Sequence, residues 1–217
     1  MTITVHGQAT SSCTSRVLTT LFEKDVSDFQ LLHVDLSTGA HKQPDYLALQ
    51  PFGVIPVVQD GDLTIFESRA IIRYLALKYE DQGSPLYGRT LEERALVEQW
   101  LEVESQNFHV AASALVYQLS SRAKKGLPPD ADVVKANIEK LEATLDIYEK
   151  RLSKSSFLAG DFFSLADLSH LPRTKSLMKS ANLTHLITAR EHVHAWWQRI
   201  STRPSWVKVT EMATPSK

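Results

Sequence analysis

The chain has 217 residues, with 24 Lys and Arg against 25 Asp and Glu, a net charge of −1 and a pI near 6.7. That is enough chain for one large domain or two modest ones, and no stretch concentrates charge of either sign enough to build a phosphate-binding face, so nucleic acid is not an expected partner. Hydrophobic residues make up 43%, no apolar run approaches the ~18 residues of a membrane span, and the amino terminus MTITVHGQ has neither the basic nor the apolar region of a secretory leader, so a soluble protein retained in the cytosol is expected.

Ile3 and Val5 alternate with polar neighbours as a short strand, a Gly7-Gln8 break follows, and Val17, Leu18, Leu21 and Phe22 form one face of a helix. A second strand is predicted over Phe29 to Val34, then a break at Ser37-Thr38-Gly39 and a short helix over Pro44 to Leu49. The β-α-β order with a short crossover predicts a parallel pair. The proline-punctuated segment Pro51 to Val58, the hairpin signal Asp60-Gly61 and Leu63-Thr64-Ile65 predict two antiparallel strands. Glu67-Ser68 opens a helix through Tyr79, whose Ile71, Ile72, Leu75 and Tyr79 mark a buried stripe. Asp81 to Pro85 is the best linker, and from Leu91 onward no strand pattern occurs; Val134, Ile138, Leu141, Leu145, Tyr148 and Leu152 recur at alternating spacings of 4 and 3. Breaks at Gly126 to Asp130 and at Ala159-Gly160-Asp161 divide the helices, and Arg190 to Ile200 is a late helix carrying Trp196-Trp197. The expected domains are 1–82, a linker at 83–90, and an all-helical part over 91–217.

The order of these elements is that of the thioredoxin-like fold. The stretches GQATSSCTSRVL (Gly7 to Leu18), His41-Lys42, PFGVIP (Pro51 to Pro56), FESRAI (Phe66 to Ile71) and FLAGDFFSLADLSH (Phe157 to His170), with Ala195-Trp196-Trp197 and Arg203-Pro204, resemble the cytosolic glutathione transferases, particularly the plant phi class, nearly end to end. The resemblance implies an α/β thioredoxin-like N-terminal domain plus an all-α C-terminal domain, a homodimer, and glutathione as co-substrate with hydrophobic electrophiles as partners.

Thr10-Ser11-Ser12-Cys13-Thr14 reads by itself as a helix cap, since hydroxyls accept from free first-turn N–H groups. The resemblance places Ser11 at the catalytic serine position, where its hydroxyl donates to the glutathione sulfur beside the positive end of a helix. A free thiol of pKa ~8.5 is only a few per cent ionised at neutral pH; lowering it by about two units needs roughly 2.7 kcal/mol, within reach of a charge-assisted hydrogen bond plus a helix terminus. The cluster offers enough hydroxyls that another residue can cap while Ser11 points at the ligand. Cys13, the single cysteine, makes no intramolecular disulfide, fits a reducing compartment, and reads as a packed helix-start residue open to mixed-disulfide formation with glutathione.

The resemblance also implies a cis Ile55-Pro56 bond with Ile55 pairing its main chain to the cysteinyl unit of the tripeptide, Ser68 taking the γ-glutamyl carboxylate at a helix start with Glu67 on its ammonium, and His41 and Lys42 meeting the glycine carboxylate. Val54 stands where phi sequences usually carry glutamine, so one hydrogen bond to the ligand is lost and glutathione affinity is expected to fall by about 0.5–1.5 kcal/mol. Ser164 and Asp167 read as a structural capping pair.

The second substrate is expected between the domains, bordered by Thr10, Ser12 and Leu36 of the first and by Phe108, Ala112, Leu115 and Leu119, whose spacings of 4, 3 and 4 fit equally an apolar pocket face or core. No histidine spacing fits a metal site; His192 and His194, two apart, lie on different helix faces. The expected activity is conjugation of the glutathione thiolate to electrophiles, with peroxidase activity toward organic hydroperoxides as an extension. The alternatives are a non-catalytic ligandin carrying flavonoids or similar molecules, and a Cys13-dependent thiol transferase.

Overall fold

The computed structural model describes residues 2–214. Strand β1 (Ile3–Gly7) buries Ile3, Val5 and Gly7 and leaves Thr4 and His6 half-buried, the two-residue period its sequence predicts. It pairs in parallel with β2 (Phe29–His33), Ile3 opposite Phe29 and Gly7 opposite His33. The crossover between them is helix α1 (Ser12–Glu23), as a parallel pair requires. A 3₁₀ turn at Ala40–Lys42 and α2 (Pro44–Leu49) follow. Strands β3 (Val57–Asp60) and β4 (Leu63–Phe66) form the hairpin with Asp60 opposite Leu63, so its two loop residues are Gly61 and Asp62 rather than Asp60 and Gly61. Gly61 has φ +60°, a conformation that favours glycine. β3 also pairs antiparallel with β1, giving the sheet order β2-β1-β3-β4, and α3 (Ser68–Lys78) closes the run with Ile71, Ile72 and Leu75 buried.

Helix α1 has little apolar sequence, yet Thr14, Ser15, Thr19 and Thr20 are buried along it with Val17, Leu18 and Leu21. Three of these hydroxyls turn back on the helix: Ser15 Oγ reaches the Ser11 carbonyl at 2.8 Å, Thr19 Oγ1 the Ser15 carbonyl at 2.7 Å, and Thr20 Oγ1 the Arg16 carbonyl at 2.9 Å. A buried hydroxyl satisfied in this way avoids the cost of desolvation without a partner.

Two compact units result. One comprises the described residues up to Pro85 together with those from Arg203 onward; the other is Leu86–Thr202. The division differs from the expected helical part over 91–217, because α10 (Pro204–Met212) packs on α1. The reason is Glu23 near the end of α1, buried and held by Arg203, Ser84 and Ser205.

In the helical unit, α4 (Leu91–Val103) and α5 (His109–Val116) run as one helical stretch, interrupted by π-helical turns at Glu104–Phe108 and after it at Tyr117–Ser121. α6 (Ala131–Leu152), α7 (Leu165–Lys179), α8 (Thr184–Thr188) and α9 (Glu191–Ser201) complete it. Its core is aromatic: Tyr148 meets Trp100 at 5.6 Å, His170 at 5.4 Å and Trp196 at 6.4 Å between ring centroids. Asp167 sits inside, accepting from Leu158 N–H at 3.0 Å, Ser164 N–H at 3.0 Å and Oγ at 2.8 Å, and Trp196 Nε1 at 2.8 Å. Burial raises its carboxyl above the ordinary range, partly offset by those four donors. The Ser164-Asp167 capping pair is therefore structural, as expected, and it also anchors α9 through Trp196.

Candidate functional site

Strand register brings three sequence motifs to one end of the sheet. His6 lies opposite Val57 on β3, and Val57 lies opposite Phe66 on β4. Continuing each antiparallel ladder one step sets Gly7 against Pro56 and Pro56 against Glu67. The β1–α1 loop with Ser11, the Ile55-Pro56 turn and the start of α3 thus leave the sheet at the same edge. The end of β2 arrives there too, since Val34 N–H bonds to the Gly7 carbonyl at 3.3 Å.

Ser11 is itself the N-cap of α1, with φ −76° and ψ 128°, and its Oγ accepts from Thr14 N–H at 3.4 Å. No other hydroxyl of the cluster takes the cap in its place. The cap is long, and a hydroxyl that accepts still carries a proton to donate, so capping and donation to a ligand are compatible on the same oxygen. Cys13 is half-buried in the first turn of α1, and Nη1 of the buried Arg16 lies 3.6 Å from its sulfur. Thr10 is exposed, Ser12 is half-buried at the first position of α1, and Leu36 is exposed after β2.

The Ile55-Pro56 bond is cis. Ile55 packs with Val34, Tyr46 and Val57, while its main chain lies two residues ahead of the first paired residue of β3. Tyr46 Oη donates to the Val54 carbonyl at 2.9 Å, and burial pushes the Tyr46 phenol up to about 12, so it remains a donor at any working pH. Val54 is 45% exposed and Phe52 67% exposed on the outer side of this turn. Gln50, fully buried, takes Phe52 N–H on its Oε1 at 2.6 Å.

The same turn touches the 3₁₀ segment. Lys42 Nζ donates to the Phe52 carbonyl at 3.0 Å. Gly53 has φ +58°, and a Cβ there would fall 2.7 Å from the His41 carbonyl oxygen and 2.9 Å from Lys42 Nζ, so glycine is required both for the turn and for the approach. His41 is half-buried, and its Nδ1 has no hydrogen-bond partner among the described residues. Sequence reasoning found His41, Lys42, Val54 and Ile55 but not Tyr46 and Gln50, which carry no motif of their own and act only by holding the turn.

The third motif opens α3. Glu67, not Ser68, occupies the cap of α3, with φ +69° and ψ 108° and no side-chain cap bond. A non-glycine residue held there costs of order 1–3 kcal/mol, a strain that persists where surrounding structure and a functional need enforce it. Glu67 is exposed, and Ser68, the first helical residue, is 5% exposed. A free carboxylate therefore stands beside first-turn N–H groups and a hydroxyl, a pairing suited to a zwitterionic amino-acid group.

In the helical unit, Phe108, Ala112 and Leu115 are fully buried. Phe108 stacks on Tyr148 at 6.3 Å and contacts His170 at 4.7 Å between centroids. Of the two readings of that stripe, core is the one these three side chains occupy, because the face that carries them packs against α6 and α7. Leu119 differs: it lines a mostly apolar cleft of about 480 Å³ with Pro129, Ala131, Val134 and Ile138, with Lys135 and Glu139 also in its wall.

A four-stranded mixed sheet with a cis-proline turn before β3, joined to a separate helical unit, defines a protein with a thioredoxin-like first unit and an all-α second one. Residues 1–77 match the description "Glutathione S-transferase, N-terminal domain" and residues 108–204 "Glutathione S-transferase, C-terminal domain". Over 210 residues the chain is 50% identical to glutathione S-transferase F10 of Arabidopsis thaliana, covering 97% of each chain. The crystal structure of glutathione transferase F2 from Populus trichocarpa superposes with a TM-score of 0.94 at 50% identity, covering 97% of this chain and 98% of that one. Glutathione S-transferase I from maize, in complex with an atrazine glutathione conjugate, superposes with a TM-score of 0.89 at 38% identity over the whole of both chains. The chain belongs to the glutathione S-transferase family, in its plant phi class.

Proposed function

We propose that the sheet end holding Ser11, the Ile55-Pro56 turn, His41-Lys42 and Glu67-Ser68 binds glutathione, and that Ser11 is the residue that favours its thiolate. The convergence of these motifs through strand register carries the reading. Ser11 Oγ–H donates to the sulfur while Oγ continues to accept from Thr14 N–H. The thiol proton passes to solvent, and the retained thiolate is the nucleophile. Ile55 supplies main-chain hydrogen bonds to the cysteinyl unit, Ser68 receives the γ-glutamyl carboxylate, Glu67 pairs with the ammonium, and Lys42 and His41 meet the glycine carboxylate.

Sulfur attacks an electrophilic carbon, forming an S–C bond as the leaving group departs with its electron pair. No covalent enzyme intermediate is needed; the gain comes from a preformed thiolate and from holding two reactants together. With an organic hydroperoxide the same thiolate attacks the terminal oxygen, releasing an alcohol and leaving a glutathione sulfenic acid, which a second glutathione converts to the disulfide and water. Carriage of a planar apolar molecule is a second reading, favoured by the cavity beside Leu119. The single cysteine supports a cytosolic setting, and among the described residues no helix is long and apolar enough to cross a membrane. A homodimer belongs to the same proposal, supported by the exposed apolar side chains Leu96, Val110 and Tyr117 along the helical stretch from α4 to the turn after α5.

Conjugation of a chloronitrobenzene by the wild type, Ser11→Ala and Cys13→Ser tests the reading. Loss in Ser11→Ala alone supports it, and wild-type turnover in Ser11→Ala overturns it. Loss in Cys13→Ser alone makes the protein a thiol transferase, and no turnover in any form with tight flavonoid binding makes it a carrier. Sizing chromatography reports the oligomeric state.

A further inference from the structure

The catalytic serine is held more firmly by its main chain than by its side chain. Its Oγ sits 3.4 Å from Thr14 N–H, a contact too long to orient a hydroxyl strongly. Its N–H bonds to the Gln8 carbonyl at 2.9 Å, and its carbonyl takes Ser15 N–H at 2.8 Å. A third clamp is the Ser15 side chain, which is 5% exposed: Oγ lies 2.8 Å from the Ser11 carbonyl and 2.9 Å from the Ala9 carbonyl.

A serine hydroxyl has one proton, so the two carbonyls share it in a three-centre bond. The consequence is geometric. Ser15 ties a residue inside the β1–α1 loop, Ala9, to the residue that ends it, Ser11. The loop between Gln8 and Ser11 belongs to neither β1 nor α1, and Ala9 is buried within it. Without the hydroxyl the Ala9 carbonyl loses this donor and the loop is free to shift, while the backbone bonds of Ser11 remain.

We infer that Ser15 is a positioning residue for the thiolate-stabilising hydroxyl, setting its direction by stapling the Ala9 and Ser11 carbonyls. The inference rests on the reading of Ser11 given above. Ser15 touches neither glutathione nor the reacting sulfur in this account; it acts through Ser11. Helix-stabilising back-bonding is the other role such a hydroxyl performs, and Thr20 provides the comparison. Thr20 is fully buried on α1, with Oγ1 2.9 Å from the Arg16 carbonyl and no bond to the loop.

The test is the pH dependence of kcat/KM for glutathione, together with titration of the bound thiolate by its ultraviolet absorbance, in Ser15→Ala, Ser15→Thr, Thr20→Ala and Ser11→Ala. In Ser15→Ala the acid limb moves about one unit to higher pH, so kcat/KM falls roughly tenfold below the limb and converges on the wild type at alkaline pH. Ser15→Thr, which keeps the hydroxyl, restores the wild-type limb. Thr20→Ala lowers Tm without moving the limb. An unmoved limb in Ser15→Ala, or an equal movement in Thr20→Ala, overturns the inference. If Ser15→Ala does not fold, Ser15→Cys, near in volume but a weak donor, supplies the same comparison under reducing conditions. Ser11→Ala separates the two levels: if its limb is unmoved, the assignment of Ser11 itself fails, whereas a moved limb there with an unmoved one in Ser15→Ala removes only the role of Ser15.

Discussion

Arg203 grips Glu23 through two parallel hydrogen bonds, Nε to Oε1 and Nη2 to Oε2, both at 2.6 Å, across a sequence separation of 180 residues. Fork-to-fork geometry of this kind is the strongest arrangement a guanidinium and a carboxylate can adopt. Here it draws the chain beyond the helical unit back onto the first one. Ser84 adds a bond to the same carboxylate at 2.6 Å, and Ser205 adds another.

Removing the guanidinium strands a charge that is 4% exposed on its side chain. Arg203→Ala is expected to destabilise the fold by about 3 kcal/mol, since breaking a buried ion pair costs more than the pair contributes over an apolar one. Urea denaturation measures it; a change under about 0.5 kcal/mol, the size of an ordinary surface substitution, would show that the two serines suffice.

The pair also sets an acid limit. Burial pushes the Glu23 carboxyl up, but the bonds from Arg203, Ser205 and Ser84 and the nearby positive charge outweigh it and hold the carboxyl below its ordinary value of 4.5. A depressed folded value means the stabilisation is complete above the unfolded value and is lost as pH falls through the folded one. Stability should therefore drop more steeply below pH 4.5 in the wild type than in Glu23→Gln, as followed by denaturant midpoints across pH.

Val54→Gln restores an amide at the turn. Because Val54 is 45% exposed, the new side chain carries little burial cost. The Michaelis constant for glutathione should fall by roughly two- to tenfold, the equivalent of one neutral hydrogen bond. An unchanged or raised value counts against the contact.

Gly53→Ala does the opposite. It places a Cβ at φ +58° and 2.7 Å from the His41 carbonyl, so the turn and the 3₁₀ segment are forced apart. The expected loss is at least about 1 kcal/mol in stability, with a raised Michaelis constant for glutathione and an undisturbed helical unit. Steady-state kinetics beside circular dichroism would distinguish this from global unfolding.

Tyr148→Phe tests the helical core. His170 is fully buried with Nδ1 2.7 Å from the Ala166 carbonyl, so that nitrogen carries the proton and Nε2 accepts from Tyr148 Oη at 3.0 Å. Deleting the hydroxyl removes this bond from a buried site and should cost about 1 kcal/mol, read from the urea midpoint, with kcat unchanged.

The alternation of Ile3 and Val5, the crossover, the Asp60-Gly61 signal and the Ile71, Ile72 and Leu75 stripe were legible in the sequence because each is local, a period of two or of 3.6 imposed by strand or helix geometry. The five motifs carried the family and named Ser11, Ile55, Glu67 and Ser68 before any coordinates. That these residues meet at one sheet end follows from the pairing of His6 with Val57 and of Val57 with Phe66, partners some 50 and 9 residues apart.

What only the tertiary structure decided were matters of who faces whom. Phe108, Ala112 and Leu115 share their spacing with Leu119, yet three are fully buried where α6 and α7 pack on their face, and one faces a cavity walled by Ala131, Val134 and Ile138 at the start of α6. Ser11 caps its own helix although Thr10, Ser12 and Thr14 also carry hydroxyls beside it, and Glu67 takes a backbone conformation that no local preference favours. The polar helix α1 is buried with the hydroxyls of Ser15, Thr19 and Thr20 bonded to carbonyls one turn back. Composition drew attention to one thiol, Cys13; the fold makes the serine two residues before it the cap of α1, at the end of the sheet where the motifs converge. Local sequence determines which element forms, whereas burial is a property of two surfaces, and the second surface lies elsewhere in the chain.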